Sequence, residues 1–382
     1  ILGEARISDT RQNPSNGTVF DVDKESGIEG LPNLVGRVNL YGGLDDNDDS
    51  GVMRYVSISY GGDNFDPSTD SELNGMSWGG VGSEFDASHI EIFNNVDDGL
   101  EIFGGKANVK NLLVWNIGDD SLDADQGWRG KVQFALIIQG AGGAENQGSG
   151  FGDNGIEADG TDGDTTAQPI TAASVWNATI IGAPEVTNDS FLNDNDSTDR
   201  VLAFRDNLNM QIWNTIFMTD GENMLNNDGD DGDGSTGYGA GTTLDFATRW
   251  NTPASWYTDP ANGFPNQGGA TAADFEAAYT AQDPTANLLQ IAGSLWFGIN
   301  NPGELVNVGV LPGTGLGNEN AALDNLVVAS LPIAGLTRAD GPVGVDVDGI
   351  VAGGNPFVIA SSDTGDGVIG NVTSIDPRAV GD

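Results

Sequence analysis

The chain has no cysteine in 382 residues, so it offers neither a disulfide framework nor a thiolate metal site, and thiols give no reading of its redox compartment. The absence is compatible with export. Histidine occurs once, at His89. Zinc held by histidine clusters is therefore excluded, and any Ser-His-Asp arrangement would have to use that one ring. Its place at the start of a strand among apolar neighbours reads as structural. Basic residues are scarce: 14 Lys and Arg, only four of them Lys, stand against 57 Asp and Glu, for a net charge of −43. Such a surface repels nucleic acid and anionic membranes and suits saline water, cations or basic partners. No Gly-rich stretch carries a P-loop lysine. Long apolar runs are missing too. The longest near the C-terminus, residues 325–336, is too short for a membrane span and contains Pro332. No signal peptide heads the numbering, and Ile1, Leu2, Ala5 and Ile7 read as a strand, so a mature or fragmentary form lacking upstream sequence is expected.

What the chain has is glycine, 57 of 382, without a collagen period, which points to frequent tight turns. From residue 36 to 140 short β-rich runs such as MRYVSISYGG, SHIEIFNN and ANVKNLLVWN are bounded by Gly, Asn and Asp. Within them polar and apolar residues alternate, as in Val56, Ile58 and Tyr60 against Ser57 and Ser59. Two segments, FNNVDDGLEIFGG (93–105) and WNIGDDSLDADQG (115–127), match at a spacing of 22 residues, and FGDNGIEADG (151–160) follows the same pattern. A 22-residue period is one coil of a solenoid, whose stacking would set equivalent side chains in columns ~4.8 Å apart. Further strand pairs at 174–183 and 209–218 carry Trp-Asn at the phase of Trp115-Asn116, extending the repeat to about residue 220.

The expected fold is all-β: a right-handed parallel β-helix of about 22 residues per coil over 1–221, with insertions at 140–150 and 186–199. Residues 222–382 read as a long Gly/Asp-rich excursion with final strands, which would form a cap. Its one convincing helix is TAADFEAAYTAQ (271–282), with Thr271 as N-cap.

Alternation places Leu100 and Ile102 inside and Glu101 and Phe103 outside. Glu101, Asp123 and Glu157 then form one acidic column, and Asp125 and Asp159 begin a second. Stacked carboxylates repel, which raises their pKa values or requires a cation between them. Three roles are open: ladder carboxylates satisfied by amides, water or Arg205; a calcium site; or catalysis. Paired carboxylates would fit glycoside hydrolysis or calcium-assisted lysis. The nearest basic residues in sequence for a lyase are Lys106, Lys110, Arg129 and Lys131. Asp97-Asp98 and Asp119-Asp120 read as turn residues. Asp228, Asp230 and Asp233 in DGDDGDG resemble a calcium loop, but without the glutamate of an EF-hand. Trp115, Trp176 and Trp213 share a phase and are expected to stack rather than form a sugar platform. Sequons at Asn16, Asn188, Asn195 and Asn371, and Asp-Ser/Thr pairs at Ser121, Thr165 and Ser197, permit glycosylation.

IEGLPNLVGRVNLYGGLDDNDDSGVMRYVSISYGG and the stretch LNGMSWGGVGSEFDASHIEIFNNVDDGLEIFGGKANVKNLLVWNIGDDSLDADQGWRGKVQFALIIQG resemble a group of secreted bacterial surface proteins and lipoproteins, predicted to form right-handed parallel β-helices. The resemblance covers about 28–220 and implies the fold and an exported location, but no catalytic residue. The resulting expectation is an extracellular or cell-surface structural protein that mediates attachment or self-assembly into a homo-oligomer or filament, stabilised by calcium or glycans. A polysaccharide-active enzyme and a glycan-binding module are the alternatives. No catalytic residue is assigned, and neither nucleic acid nor a membrane span is expected.

Overall fold

A computed structural model describes residues 1–8, 25–28, 38–62, 73–139, 152–160, 169–182, 198–206, 208–218, 223–228, 246–258, 273, 277–299, 301–311, 319–320 and 323–328. Two parallel sheets wind around one core. The narrow sheet stacks Met76–Gly79, Leu100–Phe103, Leu122–Asp125, Asn154–Ala158, Arg200–Arg205 and Asn223–Asp228. The wide sheet stacks Val52–Ser59, Asp86–Asn95, Asn108–Ile117 and Lys131–Ile138, then pairs of shorter strands: Ala172–Trp176 with Thr179–Ile181, Asn209–Trp213 with Ile216–Met218, and Gln290–Ala292 with Leu295–Phe297.

The 22-residue spacing is a true register: Leu100 pairs with Leu122, and Phe93 with Trp115. Leu100, Ile102, Leu122, Ala124, Ile156 and Ala158 face inward onto Ile90, Ile92, Leu112, Val114, Val175 and Ile180 from the wide sheet. Each buried Leu or Ile stabilises the coil by about 1.5–3 kcal/mol, so in-register apolar columns hold the stack.

The wide strands bend at one position in every coil. Tyr55, His89, Asn111, Phe134, Asn177, Asn214, Gly293 and Asp324 all have φ between +50° and +64° and align by register. The left-handed region costs an ordinary L-residue about 1–2 kcal/mol, which explains Asn, Asp and Gly at five of these eight corners. It does not explain Tyr55, His89 and Phe134.

Stacking continues past residue 221: Asn223–Asp228, Gln290–Ala292, Leu295–Phe297 and Asn325–Val328 extend the sheets, so the expected boundary at 221 is corrected. Of the helix expected over 271–282, residues 273, 277 and 278 are helical, and 271, 272 and 274–276 lie outside the described residues. Two short helices that sequence reasoning missed occupy Phe246–Arg249 and Gly303–Asn307. Leu305, Val310 and Leu311 join the core, closing its end next to Met224 and Leu225. Residues 277–283 run from the turn at Lys106 across the wide-sheet strands at Ser174 and Gln211. Lys106 Nζ donates to Ala277 O (2.9 Å), Ser174 Oγ to Ala281 O (2.5 Å) and Gln211 Nε2 to Asp283 O (3.0 Å).

Candidate functional site

The narrow sheet carries the acidic columns on its outer face. Glu101, Asp123 and Glu157 are paired in register, and the column continues into Ala203. Asp125, Asp159 and Arg205 fall in the next outward column. The outward face is less open than alternation implies, because Glu101 is 6% exposed and Phe103 4%. Tyr41 packs on Phe103 with ring centroids 5.8 Å apart, and its hydroxyl donates to Gln126 Oε1 at 2.9 Å. The N-terminal segment therefore covers the first rows, while Asp123, Asp125 and Asp159 stay half-buried.

The same offsets carry Asp97, Asp119, Asp153 and Asp199 into a file of carboxylates in the turn preceding the narrow sheet. Beside it, Asp98 Oδ1 accepts from the Asp120 amide (2.9 Å), and Asp120 Oδ1 accepts from the Asn154 amide (2.7 Å). These aspartates thus satisfy the amides of the next coil as well as turning the chain.

Three groups bring carboxylate oxygens within 4.8 Å of one another: Asp97, Asp98 and Asp119; Asp98, Glu101 and Asp123; Asp119, Asp120 and Asp153. Of the metal candidates expected from sequence (Glu101, Asp123, Asp125, Glu157, Asp159, Asp228, Asp230 and Asp233), two, Glu101 and Asp123, fall in these groups, and the aspartates that complete them were missed. The repeated DD dipeptide one turn upstream was the signal available. Burial raises the pKa values of Asp98, Asp120 and Asp123 well above the usual range, and neighbouring carboxylates raise them further: Asp123 beside Asp98, and Glu157 beside both Asp120 and Asp123. Asp123 Oδ1 is buried without a hydrogen-bond partner among the described residues.

Arg205 brings a cation to these columns. Its guanidinium pairs with Glu157 and reaches Asp159 Oδ1 at 3.4 Å, so it neutralises the lower rungs, and its charge also acts against the rise at Asp123. Asp228 is level with Arg205 at a strand end, whereas Asp230 and Asp233 lie outside the described residues.

Arg200, in the same sheet, lies 4.0 Å from Asp199 of the carboxylate file, whereas four other basic residues are engaged elsewhere. Arg129, fully buried, binds Asp46 (2.8 Å), Gly127 O (3.1 Å) and Arg6 O (3.1 Å). Lys106 is held by Ala277 and Thr280, and Lys110 and Lys131 belong to the wide sheet.

Three further readings are corrected. Trp176 stacks on Trp213 (5.1 Å), but Trp115 stacks on Phe93 (4.7 Å) and aligns with Ile138, in a different column. Trp-Asn marks a left-handed corner, which occurs at Asn116 as well as at Asn177 and Asn214, and so does not mark the column. His89 is exposed and stacks on Tyr55 at 4.5 Å rather than sitting among apolar neighbours. Ser121 is fully buried and closed to glycosylation in the fold, while Thr165, Ser197 and the sequons at Asn16, Asn188, Asn195 and Asn371 lie outside the described residues.

Parallel coils stacked in register around one core define a parallel β-helix. The chain belongs to the pectate-lyase-like beta helix domain family, whose model matches residues 33–243. No curated protein and no solved structure matches it. Family membership fits a carbohydrate-related role. No helix among the described residues is long and apolar enough to cross a membrane.

Proposed function

We propose that the chain is an extracellular, cell-surface β-helix that holds calcium on its narrow sheet and attaches to carbohydrate without breaking it down. The observation that carries this reading is the group Asp98, Glu101 and Asp123, whose carboxylate oxygens lie within 4.8 Å of one another. Calcium takes six to eight oxygens and tolerates irregular geometry, which suits carboxylates from two coils and a turn. On a chain of net charge −43, a bound cation would also let an anionic polysaccharide approach. Attachment is favoured over turnover because Arg129 and Lys106 are locked in structural contacts, and Arg205 is committed to Glu157 and Asp159.

The test is calorimetric titration with calcium, together with co-sedimentation with polygalacturonate in calcium and in EDTA. Calcium binding by the wild type, lost in Asp123→Asn/Glu101→Gln, and calcium-dependent co-sedimentation without chain shortening are expected. Depolymerisation would replace attachment by the enzymatic reading. A second reading, self-association into a homo-oligomer or filament, is favoured by the strand Val52–Ser59. Among the described residues it pairs on one edge only, and its apolar Met53, Val56 and Ile58 are only half-buried. Sedimentation velocity at rising concentration with calcium tests it; a monomer throughout rules it out.

A further inference from the structure

The left-handed corner of the wide sheet is occupied by Asn, Asp or Gly wherever backbone preference decides it. In three of the first four coils it is occupied instead by Tyr55, His89 and Phe134, at φ +57°, +55° and +60°. Bulky side chains there are outliers, and packing does not account for them, since Tyr55 is 78% exposed and Phe134 45%. Strain kept at an exposed position, together with apolar surface left in water, points to a binding role.

The strip has a definite chemistry. Tyr55 and His89 stack at 4.5 Å with ring planes 22° apart. Asn111 Nδ2 lies 3.1 Å from His89 Nε2, and Lys110 Nζ stands 5.3 Å from the Phe134 ring centre. Along the axis, Tyr55 to Phe134 spans three coil steps, ~14 Å at the strand spacing. The outward columns on one flank bring up Arg54, Lys110 and Lys131, against Asp86, which pairs with Arg54. Three of the 14 basic residues of a strongly acidic chain thus border one aromatic strip.

We propose that Tyr55, His89, Asn111 and Phe134, flanked by Lys110 and Lys131, form a second carbohydrate-binding face for an anionic, uronate-containing polysaccharide, one that works without calcium. This rests on the carbohydrate-related reading but not on the calcium site. The apolar faces of the sugar rings lie on Tyr55 and Phe134, the Asn111 and Gln133 amides meet hydroxyls, and the lysines meet carboxylates. A polymer of repeating rings matches a column of repeating corners. Nucleic acid shares the aromatic and cationic preference, and the oligonucleotide arm of the test separates it from the polysaccharide.

The test is titration of the whole chain with oligogalacturonate in EDTA, beside neutral dextran and a single-stranded oligonucleotide. The wild type is expected to bind oligogalacturonate alone, more weakly as salt rises. Tyr55→Asn/Phe134→Asn, which keeps a residue suited to the corner, is expected to lose about tenfold or more in affinity with an unchanged or higher Tm. Lys110→Gln/Lys131→Gln should weaken binding and flatten its salt dependence. The proposal is overturned if the wild type does not bind in EDTA, if the Asn variant binds as the wild type does, or if dextran or the oligonucleotide binds equally well. Loss of calcium-dependent binding alone would sink the narrow-sheet reading and leave this one standing.

Discussion

The two outward faces of this β-helix use the same device, one side chain per coil in register, to opposite electrostatic ends. On the narrow sheet Glu101, Asp123 and Glu157 stack like charges, sheltered in their first row by Tyr41 and the N-terminal segment and relieved in their last by Arg205. On the wide sheet Tyr55, His89 and Phe134 stand open to solvent, with Asn111 half-buried, beside Lys110 and Lys131. A parallel solenoid repeats whatever chemistry it starts with, and repetition costs a carboxylate column far more than an aromatic one. The narrow sheet therefore needs cover and cations to persist, whereas the wide-sheet strip needs neither.

The largest expected effect breaks the cover. Arg129, fully buried, ties Asp46 of the N-terminal segment to Gly127 O of the coil and, at 3.5 Å, to Ala278 O of the C-terminal strap. Arg129→Ala leaves Asp46 without its main partner and should cost about 3–5 kcal/mol, read as a lowered urea midpoint. Tryptic cleavage at Arg6 should quicken as the segment lifts, while the wide-sheet strip keeps its oligogalacturonate affinity. Next comes the cation. Calcium at a hundredfold over its dissociation constant should raise stability by about 2.7 kcal/mol, and Asp123→Asn should remove most of that gain.

A smaller effect follows from proton linkage. Asp98, Asp120 and Asp123 have pKa values raised by burial and by neighbouring carboxylates, so between the ordinary carboxylate range and those raised values the folded chain binds more protons than the unfolded one. Stability without metal should therefore increase as pH falls from neutrality through that window, and calcium should flatten the slope by holding the carboxylates ionised. Asp46 runs the other way. Burial raises its pKa, but Arg129 and Arg6 outweigh that and hold it well below the usual range. Its contribution is present above the ordinary carboxylate value and is lost as pH falls below it. Metal-free unfolding midpoints should accordingly peak on the acid side of neutrality, above the ordinary carboxylate range. A flat profile would mean that the columns are already neutralised.

Periodicity made the narrow sheet legible. The 22-residue match set Leu100 over Leu122 and Glu101 over Asp123 as the structure has them, because one register error would have turned every apolar side chain outward. Alternation gives parity, not exposure, so it could not show Tyr41 arriving from residues far away in sequence to cover Phe103. Asp98 and Asp119 were legible as turn residues, but their meeting with Glu101, Asp123 and Asp97 depends on how the turn folds over the strand. The wide-sheet strip was hidden for a different reason. Tyr55, His89, Asn111 and Phe134 share no residue type, and their spacings of 34, 22 and 23 residues follow the coil lengths, not a motif.

The smallest expected effect sharpens the comparison most. If the aromatic corners of the wide sheet are kept for binding, the fold should be better off without them. Asn is the residue that the same corner carries at Asn111, Asn177 and Asn214, with φ of +58°, +55° and +50°. Tyr55→Asn and Phe134→Asn should each raise stability by about 0.5–1 kcal/mol, because relief of backbone strain and of exposed apolar surface outweighs the loss of one ring contact. Paired thermal and urea unfolding of the two single variants checks this, with Asn111→Tyr as the reciprocal change that should lose a comparable amount. A gain at Tyr55 and Phe134 with a loss at Asn111 means that the fold prefers Asn at every corner, so the rings are held against that preference. If instead both single variants fall by 1 kcal/mol or more, the rings are structural braces, and the contrast between a face that needs support and one that does not disappears.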